Sequence, residues 1–389
     1  MAKVAFIGGK VFDSDTESFI EANVVCDKGY IESIGEYIPD VCERVYLDGK
    51  YLIPGLIDVH THGIAGCDFN WASEEDLKRM CHRYAKCGTT SVMATLASQT
   101  PTRLTNAVFA INASRLVENK NGANILGVHL EGRYLNPEKK GAHNEEYLAE
   151  PNLEELEGLG QAMQPAPMHF SLAPEMNGAE SFIKRVKELG GTVGIAHTNA
   201  TYEEAEAALD WGASSFTHTF NAMTPIHHRM PGATVSALTS NRAYAEVIAD
   251  GEHLHPAIVN LIYKSKPGDK MVLITDSMAA TGEPDGEYSI AGSPVTVVNG
   301  RAIILPSGTI AGSTLTLFKG LTNFMKFCKI PLNKALKYAT TNPARMVGAS
   351  LVGQISKNYR ADFIVINDTE SPEIESVYVG ANKIGDVLI

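Results

Sequence analysis

Residues 51–63 read YLIPGLIDVHTHG, a short apolar run ending in two histidines one residue apart, His60 and His62. In an extended backbone, residues i and i+2 project to the same face, so both imidazoles can reach one point just past the strand end. Such a pair suits a metal ion, although two histidines beside a strand end could equally serve ordinary polar packing. Whether other strands end in the same way decides between the two readings.

From residue 53 onward, an apolar strand followed by an amphipathic helix recurs along the chain. Strands are expected at 56–59, 90–96, 125–130, 168–173, 192–196, 215–217, 244–249 and 271–275. Ser73, Thr100 with Pro101, and Thr201 with Glu204 mark helix starts. Eight such units predict a (β/α)8 TIM-like barrel, whose active site sits where the strands end. At those ends stand His60 and His62 (first strand), Glu131 (third), His197 (fifth), His218 (sixth) and Asp276 (eighth). Unpaired polar side chains converging on one rim would be costly to hold without a shared partner. Neutral imidazoles with carboxylates suit zinc, iron or a related divalent ion. Such an ion acidifies water and polarises a carbonyl, and a carboxylate such as Asp276 beside it can take a proton and return it. The predicted reaction class is metal-assisted hydrolysis of an amide-like bond.

Residues 1–53 alternate short β-type runs with turns expected at Gly8-Gly9 and Lys28-Gly29, and residues 349–389 return to short strands. The two ends are expected to build one small β-sandwich domain beside a barrel spanning 54–348, with a β insertion near 287–305. A net charge of -12 argues against a nucleic-acid surface, so an anionic small substrate would need its own basic pocket. Cys26, Cys42, Cys67, Cys81, Cys87 and Cys328 form no CxxC pair and read as reduced thiols of a cytoplasmic protein. Cys67, close behind the HTHG stretch, reads as packing rather than as a ligand. No stretch approaches the ~20 apolar residues of a membrane span, and the start carries no leader pattern, so a soluble, untargeted chain is expected.

These residues resemble the amidohydrolase superfamily and, within it, the N-acetylglucosamine-6-phosphate deacetylase family. The matching segments are PGLIDVHTHG (54–63), GVHLEG (127–132), NPEKKGAH (136–143), AHTNATYEEA (196–205), THTFNAMTPIHHRMPG (217–232), IADGEHLHP (248–256), TDSMAATGEPDG (275–286), GTIAGSTLTL (308–317) and TNPARMVG (341–348). The resemblance implies a hydrolase that removes the acetyl group from N-acetylglucosamine 6-phosphate. It implies that Glu131, His197 and His218 bind one divalent metal ion and that His60 and His62 complete a second site. Zinc is the first expectation, with iron or manganese as alternatives. Asp276 would accept and donate the proton, and His143 would polarise the acetyl carbonyl. Ala142, Asn221, Ala222, Ile310, Ala311 and Gly312 would line the sugar, while Arg229 and His253 would hold the 6-phosphate. Arg229 would come from the neighbouring subunit of a homodimer.

Two departures from the family pattern bear on specificity. Arg133-Tyr134 stands where members have proline and an aromatic residue, and Asn199 stands where they often have aspartate. Either could shift preference toward N-acetylgalactosamine 6-phosphate. Rival readings are a dihydroorotase-like or hydantoinase-like enzyme, disfavoured because Glu131 replaces the carboxylated lysine, and a catalytically silent scaffold, disfavoured because every ligand position is filled.

Overall fold

The computed structural model describes residues 3–117, 121–164 and 166–387. Eight parallel strands form one sheet in sequence order, nearly closed into a barrel: Leu56–Thr61, Thr89–Ala97, Asn124–Glu131, Met168–Leu172, Thr192–Ile195, Ser215–Phe216, Tyr244–Ile248 and Met271–Ile274. The first and eighth strands meet at their ends, where the Asp276 N–H donates to His60 O (2.9 Å) and the His62 N–H donates to Ser277 O (2.7 Å). The closing seam therefore runs through the ligand candidates themselves.

Local chemistry accounts for the helices between the strands. Glu74–Lys86 opens with a reciprocal capping box between Ser73 and Asp76, and Tyr202–Trp211 with one between Thr201 and Glu204. Pro101–Arg115 starts with the Thr100 side chain accepting the Arg103 N–H. Each cap satisfies backbone donors that have no partner within the helix. His255 caps Pro256–Ser265 by accepting the Ala257 N–H. Outward-facing strand residues such as Val128 and Phe170 pack against helix residues such as Phe182 and Ile183 to form the largest apolar cluster.

The second large sheet takes its strands from both chain ends. Tyr51–Pro54 pairs parallel with Val4–Asp13 on one side and antiparallel with Phe363–Ile366 on the other. Phe6, Leu52, Phe363 and Tyr378 build its core, with the Phe6 ring 5.0 Å from Phe363 and 4.8 Å from Tyr378.

One expected turn is absent. Val4–Asp13 runs straight through Gly8-Gly9 as a single strand, and its register with Ser18–Asp27 slips there. Gly8 takes φ +73°, and a Cβ on Gly9 would lie 2.4 Å from Leu47 Cδ1 and 2.9 Å from Lys50 O. The glycines thus serve a β-bulge and a close backbone approach. Lys28-Gly29 is the two-residue hairpin turn anticipated, with both residues at positive φ. The β insertion is four-stranded, from Gly286–Ile290 to Thr309–Ile310, and turns at Ala291-Gly292 and Asn299-Gly300. Its tip is fastened to the barrel mouth: the Ala291 N–H donates to Asp68 Oδ2 (2.8 Å), and Gln99 Nε2 donates to Ala291 O (2.8 Å).

Candidate metal centre and active site

Strand parity places the ligand candidates. Asp58, His60 and His62 are two residues apart along the first strand and its exit, as are His129 and Glu131 on the third, so each series faces the barrel interior. All are buried.

Glu131 lies at the centre of the cluster. Its Oε1 is 2.9 Å from His218 Nε2, 3.3 Å from His197 Nε2 and 3.4 Å from His60 Nε2. Its Oε2 is 3.0 Å from His62 Nε2 and 3.5 Å from His143 Nε2. Asp276 Oδ1 approaches His62 Nε2 at 3.2 Å and His60 Nε2 at 3.5 Å. Four bonds of about 2.0–2.1 Å around one ion would set ligand atoms roughly 3.3 Å apart, which matches these separations.

A hydrogen bond behind His197 fixes which of its nitrogens faces inward, whereas His62 Nδ1 and His218 Nδ1 are buried without partners. His197 Nδ1 donates to Lys139 O at 2.7 Å, leaving the Nε2 lone pair toward His218 Nε2 at 3.0 Å. His60 Nε2 is buried with no hydrogen-bond partner. Lone pairs and carboxylate oxygens aimed at one point, with such an orphan among them, are the donor set of a divalent metal ion. His60, His62, Glu131 and Asp276 together could hold one.

In the metal-free chain, protons on His60 and His62 take the place of an ion. Burial pushes Glu131 up, but the charge of His60 and hydrogen bonding with His143, His197 and His218 hold it well below the usual carboxylate range. Burial likewise pushes Asp276 up, while His60 and His62 bring it down to about 2. Both stay ionised near neutral pH.

His197, His218 and Asp276 all take positive φ (44°, 32° and 52°). Such conformations are costly for non-glycine residues and gather at functional sites. Glu175, near the fourth strand end, is no ligand; it accepts from the Asn199 N–H (2.6 Å) and Thr198 Oγ1 (2.5 Å), pinning the turn behind His197.

The cluster opens into a cavity of about 320 Å³ lined by His143, Ala142, Asn221, Ala222, His253, Ile310 and Gly312 among others. That volume suits a small-molecule ligand. Ala311 is wholly buried and packs behind this wall with Met278 and Ile290. Ser98 sets the orientation of His143: its hydroxyl accepts the Arg133 N–H (3.0 Å), and both its Oγ–H (2.9 Å) and N–H (3.3 Å) point to His143 Nδ1. His143 Nε2 therefore carries the proton and presents a donor to the cavity. His253 Nδ1 donates to Asp250 Oδ2 at 2.6 Å; burial lowers its pKa, but the Asp250 carboxylate outweighs this and raises it.

Lys139, Glu138, Ala97, Ile290, Ala291 and Thr309 also line the cavity and were not singled out from sequence. Lys139 and Glu138 stand within NPEKKGAH, so the motif itself was the available signal. Arg229 is exposed, contacts His228 at 2.8 Å, and does not line its own chain's cavity. Cys67 is buried with its sulfur 2.7 Å from Arg79 Nη2, away from the ligand set.

Neither departing side chain lines the cavity itself, but Asn199 Nδ2 bonds, at 2.7 Å, Oε2 of Glu138, which does. Arg133 clasps Glu155 through Nε (3.0 Å) and Nη2 (3.1 Å) and donates from Nη1 to Gln99 O and Tyr147 O. Arg133→Met is therefore expected to lower stability by on the order of 2–3 kcal/mol, the scale of charged hydrogen bonds, and to leave KM unchanged. Thermal unfolding measured alongside substrate saturation checks this, and a raised KM with normal stability would return Arg133 to the site.

Comparison with known proteins places this arrangement. Residues 51–384 match the model of the amidohydrolase family. The chain is 35% identical over 380 residues to N-acetylglucosamine-6-phosphate deacetylase of Vibrio furnissii, covering 97% of this chain and 93% of that one. It is also 35% identical over 340 residues to N-acetylgalactosamine-6-phosphate deacetylase of Escherichia coli O157:H7, covering 87% and 89%. Among solved structures, N-acetylglucosamine-6-phosphate deacetylase of Pasteurella multocida superposes with a TM-score of 0.90 at 28% identity, covering 98% of this chain and 99% of that one. A point mutant of the Mycobacterium smegmatis deacetylase, solved in complex with N-acetyl-D-glucosamine-6-phosphate, gives the same score, identity and coverage.

Proposed function

This chain belongs to the amidohydrolase family, and from that premise we propose that it hydrolyses N-acetylglucosamine 6-phosphate to glucosamine 6-phosphate and acetate. The observation that carries the reading is the Glu131 carboxylate ringed by His60, His62, His143, His197 and His218, with Asp276 beside it, at the base of a substrate-sized cavity.

Glu131, His197 and His218 would hold a divalent ion, and His60 and His62 with Asp276 would complete a second position. When bound, such an ion lowers the pKa of water toward neutrality and polarises a carbonyl oxygen. Zinc suits a set this rich in imidazole, with iron and manganese as alternatives. Asp276, ionised and facing the cluster, takes a proton from the attacking water. His143, with its Nε2–H toward the cavity, donates to the acetyl oxygen. The water oxygen bonds to the acyl carbon, the C–N bond breaks, and Asp276 returns its proton to the departing nitrogen.

Asn221, Ala222, Ala142, Ile310 and Gly312 line the sugar, with Ala311 backing that wall. His253, held as a donor by Asp250, faces the phosphate. Arg229 serves a neighbouring subunit: its exposure and its absence from its own cavity support a homodimer in which each chain completes the other's phosphate site. Among the described residues no helix is long and apolar enough to cross a membrane. Six free thiols support a reducing, cytoplasmic setting.

The N-acetylgalactosamine 6-phosphate reading keeps its place through the second relative; Arg133, clasped to Glu155, does not favour it, and Asn199 touches the cavity wall only through Glu138. Acetate release from the two epimers tests the proposal directly, and no release from either would overturn it. Arg229→Ala is expected to raise KM for the phosphorylated sugar by roughly 10- to 100-fold, the scale of a lost charge-assisted hydrogen bond, and to leave KM for N-acetylglucosamine almost unchanged. Equal effects on both substrates would remove the phosphate assignment.

A further inference from the structure

Behind the ligand cluster the barrel interior is polar, and one fully buried acid there has no part in the chemistry above. Glu246, on the seventh strand (Tyr244–Ile248), is 0% exposed. Its Oε2 lies 3.2 Å from His60 Nδ1 and 3.4 Å from the backbone nitrogen of His218. Its Oε1 has no hydrogen-bond partner and faces His169 Nε2, equally unpartnered, at 3.7 Å.

Burying a carboxylate with half its acceptor capacity unused is unfavourable for stability. A site maintained only for packing would replace it with an apolar side chain. Among the ligand side chains it touches His60 alone, its contact with His218 being to the backbone. With His60 Nδ1–H given to the Glu246 carboxyl, the nitrogen His60 has left to offer an ion is Nε2, which faces Glu131 and Asp276. The His129 ring, 4.5 Å away and edge-on, braces the His60 ring in that orientation. His62 has no equivalent: its Nδ1 is buried without a partner. One acid thus fixes the tautomer of one ligand of the second metal position.

We propose that Glu246 is the positioning residue that lets the His60–His62 position take an ion, so that its presence sets whether the chain carries two metal ions or one. The inference rests on the metal reading of this site but not on the identity of the substrate. The test is zinc titration of the metal-free full-length chain against a chromophoric competitor, with metal content measured after dialysis, for wild type, Glu246→Ala and Glu246→Gln.

Wild type is expected to hold two ions. Glu246→Ala should keep one at wild-type affinity and bind the other about 10- to 100-fold more weakly, the usual effect of removing such a partner. Glu246→Gln keeps an acceptor oxygen and should weaken the same ion less. Two ions at unchanged affinity in Glu246→Ala, or equal weakening of both, would overturn the assignment. If the alanine variant does not fold, the glutamine variant decides: weakening confined to one ion supports the proposal, and unchanged affinity refutes it. A wild type that takes only one ion in excess zinc refutes this inference alone. A wild type that takes none also removes the metal reading beneath it.

Discussion

Asp276→Asn is expected to cut the rate of acetate release at saturating N-acetylglucosamine 6-phosphate by about 10²- to 10⁴-fold, the usual contribution of a positioned acid–base group. KM should change by no more than a few-fold, because the phosphate and sugar contacts lie elsewhere in the cavity. Because Asp276 is also placed among the ligands, the substitution reports on proton transfer once metal content is matched. Asparagine has nearly the same shape, and it tolerates the positive φ of 52° at this position better than most residues. It cannot accept a proton at neutral pH, whereas Asp276, brought down to about 2 by His60 and His62 against the opposing effect of burial, is ionised and able to do so. Acetate assays with metal content measured in parallel separate this from ion loss. A variant retaining its metal and its full turnover would show that another group moves the proton.

The barrel and the order of its ligands were legible because both rest on local patterns. Period-two parity puts His60 and His62 on one face, and the Ser73, Thr100 and Thr201 caps are decided within four residues of chain. What stayed hidden depends on contacts between distant segments. Glu246 acquires meaning only because barrel closure brings the seventh strand to within one strand of His60, 186 residues away in sequence. Ser98 matters because it meets His143 from 45 residues away. A weaker signal was present: Asp58 and His129 each stand two residues before a ligand in otherwise apolar strands, which is where a supporting layer would be sought. Gly8-Gly9 was read as a turn because glycine pairs favour turns, and the crowding of Leu47 against Gly9 that makes it a bulge is a tertiary fact. The positive φ of His197, His218 and Asp276 has no sequence signature, since histidine and aspartate at strand ends are ordinarily extended.

Glu131→Gln is expected to have the broadest effect, because Glu131 contacts every imidazole of the cluster through its two oxygens. Glutamine fills the same space but places an NH2 group at one of the two oxygen positions. Either amide orientation then sets a donor against imidazole nitrogens on one side of the cluster, and the charge that neutralises a divalent ion is gone. Metal retention after dialysis should fall at both positions. Activity should fall by roughly 10³-fold or more, as several kcal/mol of Lewis-acid stabilisation are lost. The metal-free chain offers a readout independent of turnover. There, burial lowers the pKa of His62, but hydrogen bonds with Asp276 and Glu131 outweigh it and raise the value to about 9, above the ~6.5 of an unfolded histidine. A folded-state pKa raised in this way contributes stability that is fully present below pH ~6.5 and is lost as pH climbs through about 9. The unfolding temperature of metal-free wild type should therefore decline across that window. In Glu131→Gln the decline should be shallower, since Asp276 alone remains to hold the proton on His62. Identical pH slopes in the two metal-free proteins would mean that Glu131 does not hold those protons, and the carboxylate would lose its place as the group around which the ligand set is arranged.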